Sequence, residues 1–156
     1  MKIKVIAVGT RMPSWVQEGV EDFSQRIRPM LQMEVIEIPL AKRSKTTDIS
    51  RVKAEEADAI EKRLKGNEKR VILDVKGKAF ATSELAGFIE SWQMEGQDIA
   101  IIIGGPDGLD ARFLTGAYVK LSLSKLTLPH PLVRIVLVEQ IYRALAINAN
   151  HPYHRE

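Results

Sequence analysis

The residues of this chain with chemistry to offer gather toward its carboxyl end. Glu139 and Arg143 stand one helical turn apart in EQIYR, and His130 sits between two prolines in LPHPL. The closing run NHPYHRE adds Tyr153, His154 and Arg155 and holds two of the chain's three histidines. A carboxylate or an imidazole can take a proton near neutral pH, an aromatic ring can stack on a base, and a guanidinium binds phosphate. Each also has a plainer use: a helix ion pair for Glu139 and Arg143, a backbone hydrogen bond at a helix start for His130, and a frayed end for the tail. For His130 the residues alone favour the plainer use. Glu139, on an apolar helix near a candidate site loop, could instead be tuned by its surroundings to act as a base.

A second constellation is Gly104-Gly105-Pro106-Asp107-Gly108, directly after the apolar run IAIII. Glycine lets backbone come close to a ligand, and the same residues make a tight turn equally well. The run lacks Gly-Lys-Ser/Thr and is not GxGxxG, and Gly9-Thr10-Arg11 after the first apolar run fails the same test. An ordinary dinucleotide-binding domain is therefore disfavoured. Lys42, Arg43 and Lys45 form a basic loop that could touch phosphate, although a solvated loop is the commoner use of such residues.

Positioning these groups takes an alternation of strands and helices. Residues 2–9, 33–38, 70–75, 98–103 and 118–123 read as strands. Residues 14–27 read as a helix, with Val16, Val20, Phe23 and Ile27 at spacings of four, three and four. Residues 49–64 make a more charged helix with Ile49, Ile60 and Leu64 on one face. A third begins near Ser83, where Leu85, Phe88, Ile89 and Trp92 recur at i, i+3, i+4 and i+7, so Trp92 belongs to the core. Lys76-Gly77-Lys78 should turn the chain toward that helix, and residues 110–117 are weakly patterned. From Pro131 to Ala146 runs a helix apolar in nearly every direction, with Arg134 alone polar in its first turns. A helix apolar all round is covered all round, which predicts a homodimer.

This order predicts an α/β fold, a mostly parallel sheet with helices on both faces. Ligands in such sheets sit at the carboxyl ends of strands. Residues 73–76, 104–108 and 123–127 are thus the candidate site loops.

Length and charge narrow the class further. At 156 residues, one domain over 1–156 is expected, without a separate RNA-binding domain. Twenty-three Lys and Arg against 20 Asp and Glu give a net charge of +3, which permits a polyanionic partner without demanding one. Cysteine is absent and the three histidines lack metal-site spacing, so no metal and a cytoplasmic location are expected. No apolar run reaches membrane-spanning length, and residues 1–9 read as a strand rather than a signal peptide.

VGTRMPSW, IIIGGPDG, SLSKLTLPHPLVRIVLVEQIYRA and HPYHRE together resemble the bacterial ribosomal RNA large-subunit methyltransferase H family, in the SPOUT class of S-adenosylmethionine enzymes. The resemblance spans the whole chain. It implies a deep C-terminal trefoil knot, a homodimer, and S-adenosylmethionine as cofactor. It also implies N3-methylation of a pseudouridine in helix 69 of bacterial 23S rRNA, on the assembled ribosome. Cofactor contacts would fall on Leu73, on Gly104 and Gly105, and on Leu123, Ser124, Lys125, Leu126, Thr127 and Leu128. His130, Glu139, Arg143, Tyr153, His154 and Arg155 would surround the target base, with Glu139 and His154 as candidate bases and the tail of one subunit completing the pocket of the other. Arg143, Arg155, Lys42, Arg43 and Lys45 would contact RNA. Asp107 stands where many relatives carry Glu. A non-catalytic RNA- or ribosome-binding module is the alternative; it leaves the glycine-rich loop without a task. A flavodoxin-like enzyme also fits the α/β order, yet Gly9-Thr10-Arg11 offers little for a phosphate.

Overall fold

Where isoleucine and valine crowd the sequence the backbone is extended, as β-branched side chains favour. A computed structural model describes residues 1–155; Glu156, the end of the tail, lies outside the described residues. Strands β1 (Lys2–Val8), β2 (Gln32–Ile38), β3 (Lys69–Ala79), β4 (Ile99–Ile103) and β5 (Val119–Ser122) form one sheet in the order β2-β1-β4-β3-β5. Every pairing in it is parallel. Helices α1 (Ser14–Ile27), α2 (Ile49–Glu61), α3 (Thr82–Glu95) and α4 (Ala111–Thr115) lie between the strands, and α5 (His130–Asn148) follows the last one.

Alternate residues of each central strand feed two cores. Ile3, Val5, Val71, Ile99, Ile101 and Ile103 pack with Leu85, Ile89 and Trp92 of α3 and with Leu137 and Ile141 of α5. Ile6, Val8, Ile72 and Ile102 face the other way, onto Ala57 and Ile60 of α2 and Phe113 of α4. All five residues of β4 are buried, as the doubly apolar pattern requires of a strand covered on both faces. Each such isoleucine contributes about 1.5–3 kcal/mol by leaving water.

Three expectations change. Ile49 is 46% exposed, and α2 instead turns Val52, Glu56, Ala57 and Ile60 inward. Residues 76–78 do not turn the chain away from the sheet. The β3 backbone bulges between Leu73 and Lys78, both of which pair with Leu121, and then rejoins the ladder as far as Ala79. Gly77 allows this, because a Cβ there would lie 2.7 Å from the Lys120 carbonyl oxygen. Finally, much of the apolar circumference of α5 is covered by its own chain. It packs against α1 and α3, burying Leu137, Val138, Ile141, Tyr142 and Leu145, so its all-round apolarity does not by itself require a second subunit.

At the end of the sheet away from the strands' carboxyl termini, Lys4 is buried and its ammonium pairs with Glu68 and donates to the Arg63 carbonyl at 2.8 Å. Removing one partner of such a pair strands a charge. Lys4→Met should therefore destabilise the fold by about 3–5 kcal/mol in urea unfolding. Lys4→Met combined with Glu68→Leu should recover most of that loss.

Candidate active site

Parallel strands deliver their carboxyl ends to one side, and here those of β3, β4 and β5 open into a cleft of ≈ 640 Å³. That volume is in the range of small-molecule sites. The bulge of β3 supplies Leu73, Asp74, Val75 and Lys76, the loop after β4 supplies residues 104–109, and the loop after β5 supplies Leu123, Ser124, Leu126 and Leu128. Lys53 and Leu114 add to the wall from the α2 and α4 side, and His130 and Val133 from α5. The three loops expected from strand ends thus meet in one place. Lys125 and Thr127 are exposed and outside the lining. The loop after β5 is shaped locally: the Ser122 hydroxyl donates to the Ser124 carbonyl at 2.9 Å, and the Ser124 hydroxyl accepts from the Leu126 amide at 2.9 Å.

The glycine-rich loop is a tight turn and a cleft wall at once. Gly108 N–H donates to the Gly105 carbonyl at 3.0 Å. Asp107 accepts from Arg43 Nε at 2.9 Å, and the same guanidinium reaches buried Glu56 at 3.2 Å. Arg43 therefore braces the basic loop against the glycine loop. Two carboxylates thus already engage its donors. Lys42 and Lys45 are exposed, as a solvated loop would have them.

His130 stands half-buried at the mouth of the cleft. Its Nε2 accepts from Arg134 Nε at 2.8 Å. Burial, and after it the Arg134 charge, hold its pKa below the ordinary histidine value, with the Gly104 backbone opposing them. The side-chain bond of this helix-start histidine is thus made to Arg134, one turn on, rather than to backbone.

The other candidate residues assemble elsewhere. Glu139 Oε1 accepts from Arg143 Nε at 2.9 Å and from the Tyr153 hydroxyl at 2.9 Å, while Oε2 accepts from Gln140 at 2.7 Å. Tyr153 packs on Tyr142 with ring centroids 4.6 Å apart, and Arg143 lies over the Tyr153 ring at 4.7 Å. The tail is thus folded back onto α5. His154 has a buried Nδ1 without a hydrogen-bond partner among the described residues, and Arg155 is exposed. From His130 to Glu139 is nine residues, about two and a half turns and ~13.5 Å of rise. Glu139 therefore faces the opposite side of the helix from His130, and neither it nor Tyr153 lines the cleft.

Sequence reasoning gave no role to Arg134 or Glu56. Arg134 carried the clearest signal: a single charge inside an apolar helical run must be buried with partners or face solvent. Among the described residues no group of three or more His, Asp and Glu could hold a metal ion, and no helix is long and apolar enough to cross a membrane.

Comparison with known proteins adds a family. A family model described as a predicted SPOUT methyltransferase matches residues 1–154. The chain is 52% identical over 155 residues to the ribosomal RNA large subunit methyltransferase H of Saccharophagus degradans, covering 99% of this chain and all of the relative. It is 49% identical over 158 residues to the proteins of the same name from Acinetobacter baylyi and Acinetobacter baumannii, with 99% of each chain covered.

The tail contact is testable by itself. Burial, and then the bond to Glu139, raise the Tyr153 pKa above that of a free phenol. A raised folded-state pKa means that the docking energy is complete below the unfolded phenol value near 10 and is lost as pH rises through the folded value. Tyr153→Phe should release the tail at neutral pH, seen as roughly tenfold faster amide exchange over residues 151–155. A bond to a charged group contributes ~1.5–3 kcal/mol when buried, and less at this half-exposed position.

Proposed function

The chain belongs to the SPOUT methyltransferases, in the ribosomal RNA large subunit methyltransferase H family, and we propose that it transfers a methyl group from S-adenosylmethionine to N3 of a pseudouridine in helix 69 of 23S rRNA, acting on the assembled ribosome. The reading takes residues 1–156 as one domain, works in the cytoplasm where ribosomes are, and includes a trefoil knot threaded through the C-terminal part. The observation that carries it is the cleft at the ends of β3, β4 and β5, formed by three loops, two of which lie in the motifs that carry the resemblance.

The residues present fit the cofactor. Leu73, Leu123, Leu126 and Leu128 give apolar walls for a flat base, while backbone at Gly104, Gly105 and Ser124 can meet polar edges. Lys125 and Thr127, exposed beside them, complete the set expected to hold it. When bound, S-adenosylmethionine supplies an electrophilic methyl on a sulfonium. The protein's tasks are to hold N3 in line, exclude water and accept the N3 proton. Orientation can contribute roughly 7–11 kcal/mol in favourable systems, and a general base about 10²- to 10⁴-fold. Glu139 and His154 are the candidate bases. Glu139 already accepts a proton-bearing hydroxyl from Tyr153, and His154 has an unpartnered buried nitrogen among the described residues.

A complete site then needs a second copy of the chain. Glu139, Arg143 and Tyr153 sit on the opposite side of α5 from the cleft of the same chain, so the tail would serve the cleft of a partner in a homodimer. Support for that surface comes from α5 itself. Leu132 and Val136, at i and i+4, stay partly exposed and run on into Glu139 and Arg143 on the same side of the helix. Arg143, Arg155, Lys42, Arg43 and Lys45 would meet phosphates, with ribosome binding falling as salt rises.

Ribosomes lacking the modification should take up label from S-adenosylmethionine, and the methyl should map to a single pseudouridine; label elsewhere, or none, would sink the reading. Deleting residues 151–156 should leave the affinity for S-adenosylmethionine within about twofold and reduce methylation by at least ~10²-fold, the lower bound for a lost general base.

A further inference from the structure

Arg134 is 4% exposed, yet it carries a full charge in the helix that covers the sheet. Its guanidinium is the meeting point of three elements. Nη1 donates to Glu37 of β2 at 2.6 Å, Nη2 donates to the Gly9 carbonyl beyond β1 at 2.7 Å, and Nε donates to His130 Nε2 at 2.8 Å. His130 in turn lines the cleft together with Gly104 at the end of β4. Only a planar fork with five donors satisfies so many acceptors at fixed angles; a lysine ammonium cannot.

Gly9 is shaped for this cation. Its φ of +126° is one that side-chain-bearing residues rarely adopt, and a Cβ would stand 3.1 Å from Arg134 Nη2 and 3.9 Å from His130 Nε2. In nucleotide-binding α/β folds the turn after the first strand presents amides to a phosphate. Here the same turn presents a carbonyl to an internal arginine, which accounts for a glycine at this point without a phosphate motif.

We propose that Arg134 is a positioning residue for the cofactor cleft: by donating to Nε2 it fixes His130 as the Nδ1–H tautomer and holds that ring in the cleft wall beside the glycine loop. The logic is one of proton inventory. A neutral imidazole has one N–H, and a nitrogen that accepts cannot also donate. With Nε2 committed to Arg134, the proton lies on Nδ1, the ring nitrogen left to donate. His130 then stands as a fixed part of the cleft wall, and proton transfer is left to Glu139 and His154. This rests on the reading of the cleft as the S-adenosylmethionine site.

The other charged groups around His130 are Glu37 of β2 behind Arg134, Lys53 of α2, Asp74 and Lys76 of β3 and Asp107 of the glycine loop. Removing Arg134 takes away a cation and uncovers the Glu37 carboxylate; both changes favour protonated His130. Its titration midpoint must rise.

Nitrogen-15 NMR of the histidine rings, with and without Arg134→Met, tests this together with calorimetric binding of S-adenosylmethionine. In the unsubstituted protein His130 should show Nδ1 protonated and Nε2 as an acceptor. In Arg134→Met its midpoint should move up and the Kd for S-adenosylmethionine should rise about ten- to a hundredfold, the range seen when a partner orienting a ligand histidine is lost. The proposal is overturned if the unsubstituted ring carries its proton on Nε2, or if folded Arg134→Met keeps the original midpoint or Kd. Should Arg134→Met not fold, the tautomer in the unsubstituted protein decides. If the unsubstituted protein does not bind S-adenosylmethionine, the cofactor reading fails, and the ring measurements still decide the role of Arg134.

Discussion

Five parallel strands impose one constraint from which the rest of the molecule follows. A parallel pair cannot be closed by a tight turn, so the chain must cross back over a face of the sheet, and all carboxyl ends emerge on the same side. The loops after β3, β4 and β5 therefore have no choice but to be neighbours, although they are far apart in sequence. The opposite end is left to stability, and the buried pair of Lys4 and Glu68 sits there. The two ends of the sheet thus carry different kinds of polar group: a closed ion pair at one, and loops with open backbone at the other.

Much of this was legible because it depends on period and strand ends. The doubly apolar β4, the four-three-four spacing of α1 and the i, i+3, i+4, i+7 set ending in Trp92 each fell where the structure has them. Strand ends alone then nominated the three loops of the cleft. What was not legible depended on contacts between distant segments. Gly77 looks like a turn residue until the Lys120 backbone is seen against it, and nothing in the basic loop foretells the pairing of Arg43 with Glu56 and Asp107. Ile49 continued the hydrophobic pattern of α2 but faces solvent, because the inward face is set by Val52, Ala57 and Ile60. The motif resemblance supplied the family, which periodicity could not have supplied.

Helix α5 shows how one element can serve two sites without bending. Its first turn places His130 and, four residues on, Arg134 toward the cleft and the turn after β1. Two and a half turns later the same rigid helix presents Glu139 on its far side, where the folded-back tail meets it. An α-helix has a fixed rotation per residue, so these two faces cannot be brought together within one chain by any change of side-chain rotamer. Either the two groups work apart, or the missing half of each site comes from another molecule. The partly exposed Leu132 and Val136, lying between those halves on the outer side, favour the second arrangement, since burying them and completing the site would be a single event.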